Sequence, residues 1–158
     1  MANGVFNIAK GKVNAYHDRV NDNDPANSAL VVVLLKVVEA DAVLEDYDDL
    51  ATLLGAAGNT EADFTNYTRK VLTDTDISAV TVDDTNNNAR ADFADLTWAS
   101  AGGTADNALV KLLVCYDNDT TGGTDSNLIP LTFHDFSTTT NGNDLTAVVN
   151  AQGYHSAS

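Results

Sequence analysis

Residues 117–125, DNDTTGGTD, carry the side chains best suited to gripping a cation. Asp117, Asp119, Thr121 and Asp125 fall at the first, third, fifth and ninth positions of a calcium-binding loop, and Gly122 takes the sixth, where the sharp turn calls for glycine. The twelfth position, which needs a bidentate glutamate, is Leu128, and neither flank reads as a helix. In a chain this rich in aspartate such partial matches arise by chance. The loop is a candidate for calcium, and no metal ligand, cofactor or cofactor-binding residue is assigned from it.

The other reactive residue types lack the spacing their chemistry requires. His17, His134 and His155 lie far apart, and none falls in a metal-binding pattern such as H-E-x-x-H or H-x3-H, so structural or surface roles are expected. Cys115 sits within KLLVCYD among apolar neighbours, which predicts a small buried thiol rather than a nucleophile. As the single cysteine it also rules out an intrachain disulfide and every multi-cysteine zinc pattern. There is no Gly-x-Ser-x-Gly elbow and no phosphate-binding glycine loop. Aromatic residues make up 7% of the chain, too few for a base- or sugar-stacking platform. No catalytic residue is expected, and nothing favours an enzyme.

One adjacent basic pair, Arg69 and Lys70, lies in NTEADFTNYTRKVLT. Thr60 with Asp63 could cap a helical turn, but residues 66–73 read better as a strand, with Tyr67, Arg69 and Val71 on one face and Thr68, Lys70 and Leu72 on the other. Adjacent strand residues point to opposite sides, so the two cations cannot act together on one substrate.

The elements that position these residues are those of a mainly β chain. The run ALVVVLLKVVEA is dense in β-branched residues, which lose rotamer freedom in a helix and pack well on a pleated surface; it predicts a central strand buried on both faces. In EDYDDLATLLGAAG, Asp46 can cap a helix near residues 46–55 whose Leu50, Leu53 and Leu54 share a face, with Gly55 or Gly58 as the stop. After Lys70 come short strands, ISAVTVD, ARADFADLTW, NALVKLLVCYD, LIPLTFHDF and DLTAVVNAQGYH, separated by clusters of Asn, Asp, Gly and Thr that favour turns. Without regular strand-helix alternation, this pattern predicts an antiparallel β-sandwich, jelly-roll-like, over residues 29–158. Residues 5–20 fit both helical and strand periods. Gly11 would cost a helix about 1 kcal/mol relative to alanine, which favours a strand, so residues 1–28 are expected as an extended arm or first strand.

At 158 residues the chain suits one core, burying roughly 70% of its unfolded surface. Its net charge of −15 repels phosphate backbones and anionic headgroups, which argues against nucleic acid and membrane as partners. The longest apolar stretch is interrupted by Lys36, too short to span a bilayer and too late to be a signal peptide.

Several of these motifs carry a resemblance. NTEADFTNYTRKVLT, VTVDDTNNNARADF, KLLVCYDNDTTGGTDSNLIPLTFHDF and the terminal GYHSAS, with NDPANSALVVVLLK and DYDDLATLL before them, are similar to a family of small tailed-phage virion proteins, from about Lys10 to the C-terminus. These resemble the β-sandwich decoration, or cement, proteins of phage capsids. The resemblance implies a homotrimer bound to the major capsid protein on the outer surface of the virion, and no catalytic residue. The acidic charge agrees, since packaged DNA would repel it from the lumen. Within this reading the N-terminal segment, with Lys10, Lys12, Arg19 and His17, is expected to touch an acidic capsid surface, and deletion of residues 2–20 is expected to abolish decoration while sparing the sandwich. The alternative is a tail or fibre component that recognises a host surface.

Overall fold

In the computed structural model, which describes residues 3–158, the β-branched run Ala29–Val37 forms strand β2, the axis of the main sheet. Around it the chain lays down β1 (Asn3–Val5), α1 (Val13–Asn21), two short helices α2 (Asp41–Leu44) and α3 (Leu50–Gly55), β3 (Thr60–Glu61) and β4 (Lys70–Leu72). Then follow β5 (Thr81–Asp83), β6 (Asn88–Ala91), β7 (Leu96–Trp98), β8 (Ala108–Asp117), β9 (Ile129–Thr139), β10 (Leu145–Ala147) and β11 (His155–Ala157). Strands take 36% of the residues and helices 16%, so the fold is mainly β, as expected.

The main sheet is antiparallel with the order β1-β9-β8-β2-β3, and β4 pairs with β2 beside β3. The β2–β8 register runs unbroken from Ala29 opposite Asp117 to Leu35 opposite Lys111. Between β8 and β9 it slips twice. One slip places Pro130 opposite Cys115, where a residue with no N–H to donate is tolerated.

Because side chains alternate, the sheet presents two apolar faces. Leu30, Val32, Leu34, Leu112 and Val114 belong to one core, completed by α1 and by two small antiparallel sheets, β10-β7 and β11-β6-β5. Val31, Val33, Leu35, Leu113 and Cys115 belong to the other, completed by Phe6, Leu44, Leu50 and Leu53. The arrangement is β-sandwich-like, with short helices backing the second face. β2 is the doubly buried spine its composition predicts.

The N-terminal segment departs from the expectation. Residues 5–20 are not a strand: β1 ends at Val5, a 3-10 turn covers Asn7–Ala9, and α1 follows. Gly11 has φ +75° in the turn ahead of α1, so its helix penalty never applies and its left-handed conformation suits glycine. Val13, His17 and Val20, at helical spacing, form the buried face, and Arg19 in the last turn meets the negative end of the helix dipole. With Phe6 and Ala9 also fully buried, this segment is part of the core rather than an arm. Met1 and Ala2, the first residues of the expected arm, lie outside the described residues.

Two further boundaries shift. The helix expected near 46–55 is α3, capped by Asp49, whose carboxylate accepts the Thr52 N–H at 2.8 Å. Asp46 instead accepts from the Asn7 side chain, and the separate turn α2 precedes it. The strand expected over 66–73 pairs only through Lys70–Leu72, since Asn66 has φ +70° and the Tyr67 N–H bonds to the Phe64 carbonyl in a turn.

Candidate functional site

The aspartates of the calcium-like loop turn to the chain itself. Asp117, nearly buried at the end of β8, accepts the Asp119 N–H at 3.0 Å. Asp119 accepts from Thr121, the hydroxyl at 2.6 Å and the N–H at 3.0 Å, which holds its carboxyl below the usual range. Asp125, the ninth position of the template, points to Arg69, with Nη1 at 2.5 Å and Nη2 at 2.9 Å. The ligand set is therefore not gathered around a common centre. Among the described residues no group of three or more His, Cys, Asp or Glu side chains is placed to hold a metal ion.

Arg69 is the centre of the most elaborate polar cluster. Its other edge is gripped by Glu61 of β3, with Nε and Nη2 each 2.7 Å from a carboxylate oxygen. Tyr67 donates its hydroxyl to Glu61 at 2.9 Å and accepts the Leu34 N–H at 3.0 Å, tying the cluster to the spine strand. The hydrogen bonds that Arg69 donates to Glu61 and Asp125 push the guanidinium pKa upwards, and the same hydrogen bonds, with the Arg69 charge, hold Asp125 below the usual carboxylate range. Lys70 goes elsewhere, its ammonium 5.2 Å from the Trp98 ring centroid, so the adjacent cations serve separate surroundings. Planar bidentate pairing of this kind fastens β3, β4 and the 124–127 turn together.

A second cation, Lys111, is 4% exposed within β8 and pairs with Asp135 of β9 and with Asp41 of α2, the latter at 2.9 Å. Burial alone would lower its pKa, but the hydrogen bonds it donates to Asp135 and Asp41 outweigh this and raise it. The ammonium stays charged, 5.2 Å from the Phe133 ring centroid, and stitches the second face of the sheet to the helical layer. The sequence offers a signal here: a lysine inside an apolar strand must find a carboxylate or leave the core.

Each histidine is placed differently. His17 is buried, with Nε2 2.7 Å from the Ser78 carbonyl and Nδ1 3.2 Å from the Tyr154 hydroxyl. The carbonyl can only accept, so Nε2 carries the proton and Nδ1 accepts from Tyr154. His134 Nε2 meets the Thr132 hydroxyl at 2.9 Å. Burial, followed by the nearby His155 and Lys111, brings the His134 pKa down to about 4. Burial lowers His17 and His155 as well. Cys115, fully buried, has its thiol pKa pushed up to about 12 by burial.

The histidines make stability depend on pH. Folding favours their neutral forms, so the unfolded chain binds more protons below its ordinary pKa of 6.5. Their contribution is fully present above 6.5 and is lost as pH falls from there towards about 4, below which folded His134 is protonated too. The gap at His134 corresponds to roughly 3 kcal/mol as an upper figure. Thermal melts between about pH 7 and about pH 4.5 should show Tm falling, with a shallower fall in His134→Gln. A variant whose Tm tracks the parent at every pH would contradict the placement of His134.

No family model, curated protein or solved structure matches this chain. Among the described residues no helix is long and apolar enough to cross a membrane.

Proposed function

We propose that this chain is a non-enzymatic structural protein of a tailed-phage virion, a decoration protein that sits on the outer capsid surface as a homotrimer and bridges neighbouring major capsid protein subunits. The observation that carries the proposal is the motif resemblance from about Lys10 to the C-terminus, and the antiparallel β-sandwich-like fold is of the kind that resemblance implies. The polar clusters support a mechanical role: Arg69 and Lys111 are saturated by carboxylates, Arg69 tying the β3–β4 edge of the sheet to the 124–127 turn and Lys111 tying the sheet to α2. A net charge of −15 disfavours the DNA-filled interior.

Binding area, not bond making, supplies the effect. Each bridge of roughly 1,200–2,000 Å² is a contact the shell must break before it opens under internal pressure. Lys10, Lys12 and Arg19 remain exposed on the turn and on α1, available to an acidic capsid surface. Immunogold labelling of purified virions tests the assignment. Label over heads, retained on tail-less heads, is the expected result; label confined to tails would replace this reading with the tail or fibre alternative, and particles without label would refute both.

A further inference from the structure

A cavity of about 420 Å³ opens between the first face of the main sheet and the returning chain at residues 147–154. Leu112, His134 and Phe136 of the long strands line one side, and Phe93 and Tyr154 the other, their rings stacked with centroids 4.9 Å apart. Ligand pockets run from roughly 300 to 1,000 Å³, so this one lies near the lower end of the range and has ample room for an aromatic side chain, whose ring could join the Phe93–Tyr154 stack. Val148, also lining it, is 77% exposed, more than any other large hydrophobic side chain among the described residues. A hollow that is more apolar than polar, with Asp135 and Asn150 among its wall residues and an apolar side chain exposed beside it, fits the pattern of an anchor pocket at a protein contact, where one inserted side chain supplies much of the binding energy.

Charge and composition narrow the occupant. Among the described residues no Lys or Arg lines the cavity, and the Asp95 carboxylate accepts the Val149 N–H at 2.8 Å, placing a negative group beside the opening. With −15 on the whole chain, a segment carrying Lys or Arg is attracted and an acidic one repelled. A second copy of this chain shares that charge, and among the described residues the exposed large hydrophobic side chains are all valines, so none offers an exposed aromatic ring to insert.

We infer that this cavity is an anchor site for one aromatic side chain presented by a basic segment of a partner protein. The inference deepens the decoration reading, in which the partner is the major capsid protein, but the pocket can be tested apart from it.

The probes are 2-phenylethylamine, a ring with a cation, and phenylacetate, a similar ring with an anion, each titrated into the full-length protein at low salt with protein-observed NMR. Saturable shifts at the Ala147, Val148 and Tyr154 amides are expected for the amine, with the acid about fivefold weaker because of the acidic field. Val148→Lys, at an exposed position that leaves folding intact, should weaken the amine at least about tenfold by removing the apolar lip and adding a like charge. No saturable shift, equal binding of amine and acid, or unchanged binding to Val148→Lys would each overturn the anchor site. Binding as expected alongside label on virion tails would overturn the capsid reading and leave the pocket standing.

Discussion

A chain lacking residues 2–20 is expected not to fold. The segment supplies Phe6, Ala9, Val13, His17 and Val20, none more than 1% exposed, and it reaches both cores. Phe6 meets the Phe133 ring edge to face at 5.4 Å on one side of the sheet. On the other, Tyr16 lies 4.7 Å from Tyr116, and the Asp18 carboxylate accepts the Val80 N–H at 2.9 Å. Removing a single buried Phe costs about 3–5 kcal/mol, and whole domains are stable by only about 5–15 kcal/mol, so losing Phe6 together with four other buried residues exceeds what the fold can absorb. Circular dichroism of the truncated chain should show no cooperative melt, and Phe6→Ala should melt cooperatively at a lower temperature. Wild-type melting of the truncated protein would refute this. A capsid-binding test by truncation would thus report unfolding; charge reversal at the exposed Lys12 and Arg19 separates contact from folding.

Arg69→Ala is the second large effect, with an expected loss of about 3 kcal/mol, the lower part of the range for breaking one side of a buried ion pair. The lower figure reflects partial burial, since the Arg69 side chain keeps 27% exposure and those of Glu61 and Asp125 keep 23% and 37%. The loss has two sources. Four charge-assisted hydrogen bonds disappear, and Glu61 and Asp125 are left as like charges facing the gap. Arg69→Lys should recover little, because a single ammonium cannot span two carboxylates with paired planar donors. Urea unfolding measures both variants. A change under about 1 kcal/mol for Arg69→Ala would place the cluster with ordinary surface ion pairs.

The spine and the turns were readable in the sequence because their signals are local. Val31, Val32 and Val33 prefer a pleated surface whatever surrounds them, and the Asn, Asp, Gly and Thr clusters stop strands by their own backbone preferences. The α1 pattern is visible too, in the spacing of Val13 and Val20, but Gly11 argues against a helix in sequence, where nothing local shows that it falls in the turn ahead of α1. Asp46 and Asp49 are equally good caps on composition; only the direction of approach to Thr52 selects Asp49. The Arg69 cluster could not be read, because Asp125 lies 56 residues away and nothing short of the fold brings the two together. The cavity at Val148 is hidden for the same reason, its two sides coming from the main sheet and the C-terminal return.

Strand order also bears on synthesis. β2 is made early and finds its full-length neighbour only in β8, while β1 waits for β9; the adjacent pairing of β8 with β9 is the one long hairpin in the sheet. A growing chain therefore carries its most apolar run past the ribosome with only the short strands β3 and β4 to pair it on one edge, and completion of the sheet waits on distant segments, a topology that folds slowly. For this protein the hazard of aggregation belongs to the interval before β9 emerges, and slower translation ahead of that point prolongs it.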